Sequence, residues 1–185
     1  MPRTSNKRDR LIRAADELIL RRGYKQTTLA DIARDSGVPL GNVYYYFKTK
    51  ESIARTVIDA RIDSIQQLLS ACSRHPDPAE RLLAFLDFPL QRQQDIAEYG
   101  CPLGTLSYEI RRSDSALTAE SSELMRVALD WCTLQFQAME KPDPQSLALQ
   151  LIATLQGMSL VANALNDPSV VAGLVGRTRE WIRAL

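Results

Sequence analysis

Residues 36–50, Ser-Gly-Val-Pro-Leu-Gly-Asn-Val-Tyr-Tyr-Tyr-Phe-Lys-Thr-Lys, constrain this chain more than any other stretch. The Ser-Gly pair stops whatever helix precedes it, and Pro39 suits the first turn of a new one. The aromatic run before Lys48 and Lys50 leaves room for only about two helical turns. Just upstream, Thr28 to Asp35 reads as a capped two-turn helix, with Asp31 three residues beyond Thr28 as in a capping box. Helix, glycine turn and short second helix make the helix-turn-helix arrangement, whose second helix enters the DNA major groove.

Charge agrees with that reading once the chain is divided. The formal net charge of +1 looks neutral. Residues 1–50 nevertheless hold 11 Lys+Arg against 5 Asp+Glu, while residues 51–185 hold 12 against 17. A basic head on an acidic body suits a head that meets phosphate. We therefore expect two domains, a helix-turn-helix DNA-binding domain over 1–50 and a helical domain over 51–185. Chain length is sufficient to bury a core without staples. The three cysteines, Cys72, Cys101 and Cys132, include no Cys-x-x-Cys pair, so neither a zinc knuckle nor a disulfide framework is expected. No signal-peptide pattern opens the chain. The most apolar stretch, Leu147 to Leu165, is interrupted by Gln150, Thr154, Gln156, Ser159 and Asn163. A reduced, cytoplasmic protein without a membrane span is the expectation.

Periodicity predicts an all-α chain of about nine helices and no sheet. Leu11, Ile12, Ala15, Leu18 and Ile19 mark the first helix, closed by Arg21-Arg22-Gly23, after a frayed polar start over residues 1–6. A fourth helix runs from about residue 49 to Ser73, and a fifth, kinked at Pro89, to about Glu98. Short and long helices over 105–112 and 115–140 follow, then two more over 145–165 and 169–184.

At this point the chain resembles a known family. The order Ala15-x-x-Leu18-x-x-x-x-Gly23-Tyr24, then Thr27-Thr28-Leu29-Ala30-Asp31-Ile32-Ala33, then Ser36-Gly37-Val38, then Val43-Tyr-Tyr-Tyr-Phe-Lys-Thr-Lys-Glu51 is similar to the DNA-binding signature of the TetR family of bacterial transcriptional regulators. Residues 7–55 carry the resemblance, and beyond residue 60 only the layout matches. Pro39-Leu40-Gly41 departs from the small polar residues common at the start of the family's recognition helix. The resemblance implies a homodimeric repressor on a palindromic operator, released by a small-molecule effector in the body.

For the head, Leu40, Gly41 and Asn42 lie at the helix end that enters the groove. Asn42 can pair with adenine, Leu40 can touch a thymine methyl, and Gly41 lets backbone approach closely. Tyr44 and Tyr46 flank the helix. By resemblance Tyr44 and Lys48 contact phosphate and Tyr46 lies nearer the bases. Lys50, at a helix start, and Thr27 and Thr28, at another, are further expected phosphate contacts. Arg3, Lys7 and Arg8 add looser attraction. Tyr45 and Phe47 are assigned to the small core with Leu29, Ile32, Ala33 and Val43.

For the body, resemblance places a pocket with Phe85, Phe88, Cys101, Leu103, Leu106, Tyr108, Met125, Trp131, Phe136 and Met158 as candidate walls. The same residue types fill ordinary cores. The last two helices are expected to form the dimer interface through Ala153, Gly157, Leu160, Val171, Leu174, Val175, Trp181 and Ile182, across a two-fold axis. Cys101 sits just before a short helix, where the helix dipole favours a thiolate, and its Gly-Cys-Pro setting is similar to TetR-like regulators that sense oxidants or electrophiles. A thiol-switched regulator is thus the alternative to an effector-released one. The lone histidine, His75, and the absence of a phosphate-cradling glycine loop argue against an enzyme, and no cofactor or metal site is expected.

Overall fold

The computed structural model describes residues 3–113 and 116–185, with side chains from Asn6 onward. The expected contribution of the Arg3 side chain and the expected helix start at Ser115 lie outside the described residues. Among those residues the chain is helical throughout and forms no strand. Helix α1 (Arg3–Arg22) begins earlier than the frayed start expected from composition. Then come α2 (Leu29–Ser36), α3 (Leu40–Tyr46) and α4 (Lys50–Cys72). The single fifth helix expected from the sequence is divided into α5 (Pro78–Phe85), α6 (Asp87–Gln91) and α7 (Gln93–Tyr99). Pro89 accounts for the first break: it has no N–H for the Phe85 carbonyl, and its ring crowds that oxygen. Helices α8 (Pro102–Arg112), α9 (Thr118–Ala138), α10 (Pro144–Leu165) and α11 (Ser169–Ala184) complete the chain. Counting the divided helix once gives the nine-helix, all-α layout.

The chain forms two compact units. Their boundary does not follow a division at residue 50. The first unit takes residues 1–62 together with 105–124, and the second takes 63–104 with 125–185. In the first, Leu11, Ala15, Ile32, Val43, Phe47, Ile53 and Val57 are buried, joined by Leu106, Ile110 and Leu117. Arg61 donates to the Asp16 carboxylate at 2.7 Å and ties α4 to α1. The Arg10 guanidinium donates to the Ser36 carbonyl at the end of α2.

The second unit is built round α10, which packs on α7 and α11. Its core includes Leu82, Phe85, Leu86, Phe136, Leu151, Met158, Val171, Val175 and Ile182. By length and composition α10 is the one helix among the described residues that could cross a bilayer. Within this unit it buries Ala148, Leu151, Ile152, Leu155, Met158 and Ala162 on one face. Cys72 and Cys132 lie in the same core, and burial pushes the Cys132 thiol up to about 12.

Candidate nucleic-acid interface

Helix α2 is fixed at both ends by its own residues. Thr28 accepts from the Asp31 N–H at 3.1 Å, and the Asp31 carboxylate accepts from the Thr28 N–H at 3.2 Å, completing the capping box. The Thr28 hydroxyl beside it holds the Asp31 carboxyl below its ordinary range. At the other end Gly37 takes φ of 63°, where its N–H reaches back to the last carbonyls of α2. That left-handed residue is what sets α3 at a new angle.

Helix α3 then divides its seven residues cleanly. Val43 and the following Phe47 are buried, one turn apart, and seat the helix on the head. Leu40, Gly41, Tyr44 and Tyr45 are exposed, and Asn42 and Tyr46 are half-buried. Lys48 is exposed directly beyond. A Cβ placed on Gly41 would meet nothing within 4 Å, so the chain's own packing leaves that position open. The outer face therefore offers one amide, three phenols, an aliphatic side chain and bare backbone. That set can hydrogen-bond base edges and touch methyl groups, and the hydroxyls and Lys48 can meet phosphate.

Three placements differ from the sequence reading. Tyr45 is 74% exposed rather than part of the core, and its ring meets Tyr46 edge-on at 5.1 Å. With Val43 and Phe47 facing in, a residue two places from each must face out; that spacing was the signal for it. Thr27 is only 1% exposed, and its hydroxyl donates to the Gly23 carbonyl at 2.8 Å, so it braces the turn rather than facing DNA. Lys50 Nζ donates to the Lys25 carbonyl at 3.0 Å and lies 4.4 Å from the Tyr24 ring centroid. Burial pushes its pKa down, against the opposing pull of Glu51 and Glu109.

The other candidate residues lie elsewhere. Phe85, Phe136 and Met158 are buried in the second unit's core, with Leu103 and Trp131 packed against it. Phe85 and Trp131 meet edge-on at 5.7 Å. Phe88 and Met125 are half-buried. Leu106 is buried in the first unit's core. Tyr108 is 62% exposed, accepts a hydrogen bond from Arg112, and belongs to the first unit rather than to the core that holds Phe85 and Met158. On α11, Val171, Val175 and Ile182 are buried within the chain, Leu174 is half-buried, and Trp181 packs on Phe136. Of the residues expected at an interface, Ala153, Gly157 and Leu160 of α10 are exposed, and Leu149, Val161 and Leu165 of α10 and Ala172, Gly173 and Gly176 of α11 are exposed as well.

A capped helix, a left-handed glycine turn and an exposed polar-aromatic helix define a helix-turn-helix DNA-binding protein. Comparison with known proteins names the family. Residues 11–57 match the profile of bacterial regulatory proteins of the tetR family. The chain is 26% identical over 186 residues to the transcriptional regulator TtgR of Pseudomonas putida, covering 95% of this chain and 87% of that one. It is 28% identical over 125 residues to the transcriptional repressor NemR of Escherichia coli, covering 66% and 59%. Among solved structures, a TetR-family regulator from Agrobacterium tumefaciens superposes with a TM-score of 0.86 at 22% identity, covering 95% and 97%. The reduced form of E. coli NemR superposes with a TM-score of 0.80 at 20% identity, covering 92% and 94%. The chain thus carries the DNA-binding domain of the TetR family of transcriptional regulators over residues 11–57 and shares the fold of those regulators, which are DNA-binding proteins and not enzymes.

Proposed function

We propose that this protein is a homodimeric, sequence-specific repressor that leaves a palindromic operator when a small molecule binds its helical body. The functional division is a DNA-binding head over residues 1–50 and an effector-binding, dimerising body over 51–185. The observation that carries the DNA half is the exposed face of α3, with Leu40, Gly41, Asn42, Tyr44, Tyr45 and Lys48 outward while Val43 and Phe47 anchor it. Asn42 reads an adenine, the tyrosines and Lys48 span bases and phosphate, and Thr28 presents the N-terminus of α2 to a second phosphate.

The dimer half rests on the glycines. A helical glycine costs about 1 kcal/mol against alanine. Gly157, Gly173 and Gly176 have helical backbone, and a Cβ on any of them would meet nothing within 4 Å. Nothing inside the chain asks for them. A second copy packing closely on α10 and α11 does, and Leu160, 70% exposed, then finds a partner. The effector reading draws on the apolar core that includes Phe85 and Met158, with Leu103 and Trp131 packed against it, residue types that suit an uncharged or weakly polar molecule. A cytoplasmic location follows from this role.

The thiol-switched alternative has its own supporting geometry. Cys101 Sγ accepts from the Gly104 N–H and from Gln156 Nε2, each at 3.4 Å, at the start of α8. Both contacts hold the sulfur in place at the start of α8. Cys101→Ser separates the readings: an effector-released repressor keeps its inducer response, and a thiol switch loses its response to oxidant.

Selection of bound duplexes from a random DNA pool tests the main reading. One enriched palindrome supports it. Binding that only falls with salt, without enrichment, overturns it.

A further inference from the structure

The turn between α1 and α2 is held from several sides. Gly23, at φ of 84°, turns the chain, and its carbonyl accepts the Thr27 hydroxyl at 2.8 Å. Thr27 N–H donates to the Tyr24 carbonyl at 3.3 Å. From α4, Lys50 donates to the Lys25 carbonyl and covers the Tyr24 ring. From α8, Glu109 Oε2 accepts the Lys25 N–H at 3.1 Å. The Glu109 carboxylate also fills the space beside Gly23: a Cβ there would lie 2.5 Å from Oε1. Around these groups lies an open cleft of about 1020 Å³, lined among others by Arg22, Lys25, Gln26 and Arg112. Lys25 itself is exposed, and from α8 its N–H is held by this carboxylate. Three residues past Lys25 stands Thr28, the N-cap whose helix terminus faces outward.

We propose that Glu109 is a positioning residue for DNA binding: by accepting the Lys25 N–H and filling the space beside Gly23, it fixes the turn that delivers the N-terminus of α2 to the phosphate backbone. It touches no DNA itself. The sign of its effect distinguishes this role from plain electrostatics. A carboxylate beside Arg22, Lys25, Lys50 and Arg112 that did no positioning would only repel phosphate, and its removal would tighten binding. A positioning carboxylate does the reverse.

The test compares wild type, Glu109→Ala and Glu109→Gln by DNA affinity and by the Lys25 amide resonance. Duplexes are the palindrome selected by the wild type and a random duplex at low salt, so a failure of sequence-specific reading is seen separately from a failure of this inference. The account expects Glu109→Ala to weaken both duplexes about tenfold, with the preferred palindrome unchanged because α3 is untouched. Glu109→Gln, which keeps an oxygen acceptor of the same length, is expected within about threefold of wild type, with the Lys25 amide shift largely retained. Equal or tighter binding by Glu109→Ala overturns the proposal. So does a Gln variant that keeps the Lys25 amide shift yet binds about tenfold more weakly than wild type, and that arm decides the matter even where the Ala variant fails to fold.

Discussion

Two exposed helix faces in this protein contain glycines that the chain's own packing does not require. On α3 the glycine is Gly41, surrounded by Leu40, Asn42, Tyr44 and Tyr45. On α10 and α11 they are Gly157, Gly173 and Gly176, accompanied by Leu160, Ala153 and Ala172. Both faces sacrifice helix propensity for close approach. Their companions differ in chemistry: amide and phenol groups on one, aliphatic side chains on the other. A polar-aromatic face suits a hydrogen-bonding, charged partner, and an aliphatic small-residue face suits a copy of itself.

The comparison can be broken most forcefully at Leu160. Leu160→Glu places a charge on an exposed position, so the monomer fold should persist by circular dichroism. Sedimentation should show loss of the dimer, and operator affinity should drop by about 100-fold or more because two heads no longer act together. Asn42→Ala tests the other face. It should cost about 1–3 kcal/mol of operator affinity and relax the preference at one base position in each half-site, with thermal stability unchanged.

The glycines sharpen the comparison by giving opposite signs in two assays. Gly157→Ala should raise monomer stability by up to about 1 kcal/mol in urea unfolding while weakening dimerisation. Gly41→Ala should do the same for the head while weakening the operator complex. If either substitution improves both properties, that face has no partner. Thr28→Ala removes the α2 cap and should cost about 1 kcal/mol of stability, read by the same unfolding assay.

The smallest effect is a pH effect. Asp31, Asp143 and Asp167 each have a carboxyl held below the ordinary range, first by the side-chain hydrogen bond with Thr28, Ser146 or Ser169. Their folded pKa values are depressed, so their contribution is complete above the unfolded carboxylate value of about 3.9 and is lost as pH falls through the folded values. Acid titration of the unfolding free energy should show a decline confined below about pH 4 for these groups, reduced in Asp31→Asn.

The head was legible because its instructions lie within a few residues of one another. Thr28 with Asp31, Gly37, and the Val43–Phe47 pair each act over one helical turn, and the structure keeps all of them. Tyr45 was misread because three consecutive tyrosines looked alike, although only the buried pair around them sets direction. The body was less legible for a different reason. Val171, Val175 and Ile182 form the stronger apolar stripe on α11, and strength of apolarity suggested an interface. An apolar stripe is satisfied by the nearest core first, here α10 and the residues around it, and of the expected interface residues Ala153, Gly157 and Leu160 remain exposed. Lys50 and Thr27 were misplaced because their partners, the Lys25 and Gly23 carbonyls, are backbone groups that composition does not mark.

The account's central claim is that two heads, joined through α10 and α11, read two half-sites together. Affinity for the selected palindrome, measured beside duplexes with about 5 extra base pairs between the half-sites, tests it most directly, because half a helical turn rotates one site to the far side of the DNA. The account predicts that this insertion reduces affinity to near the single-half-site level. Affinity indifferent to the insertion would contradict it.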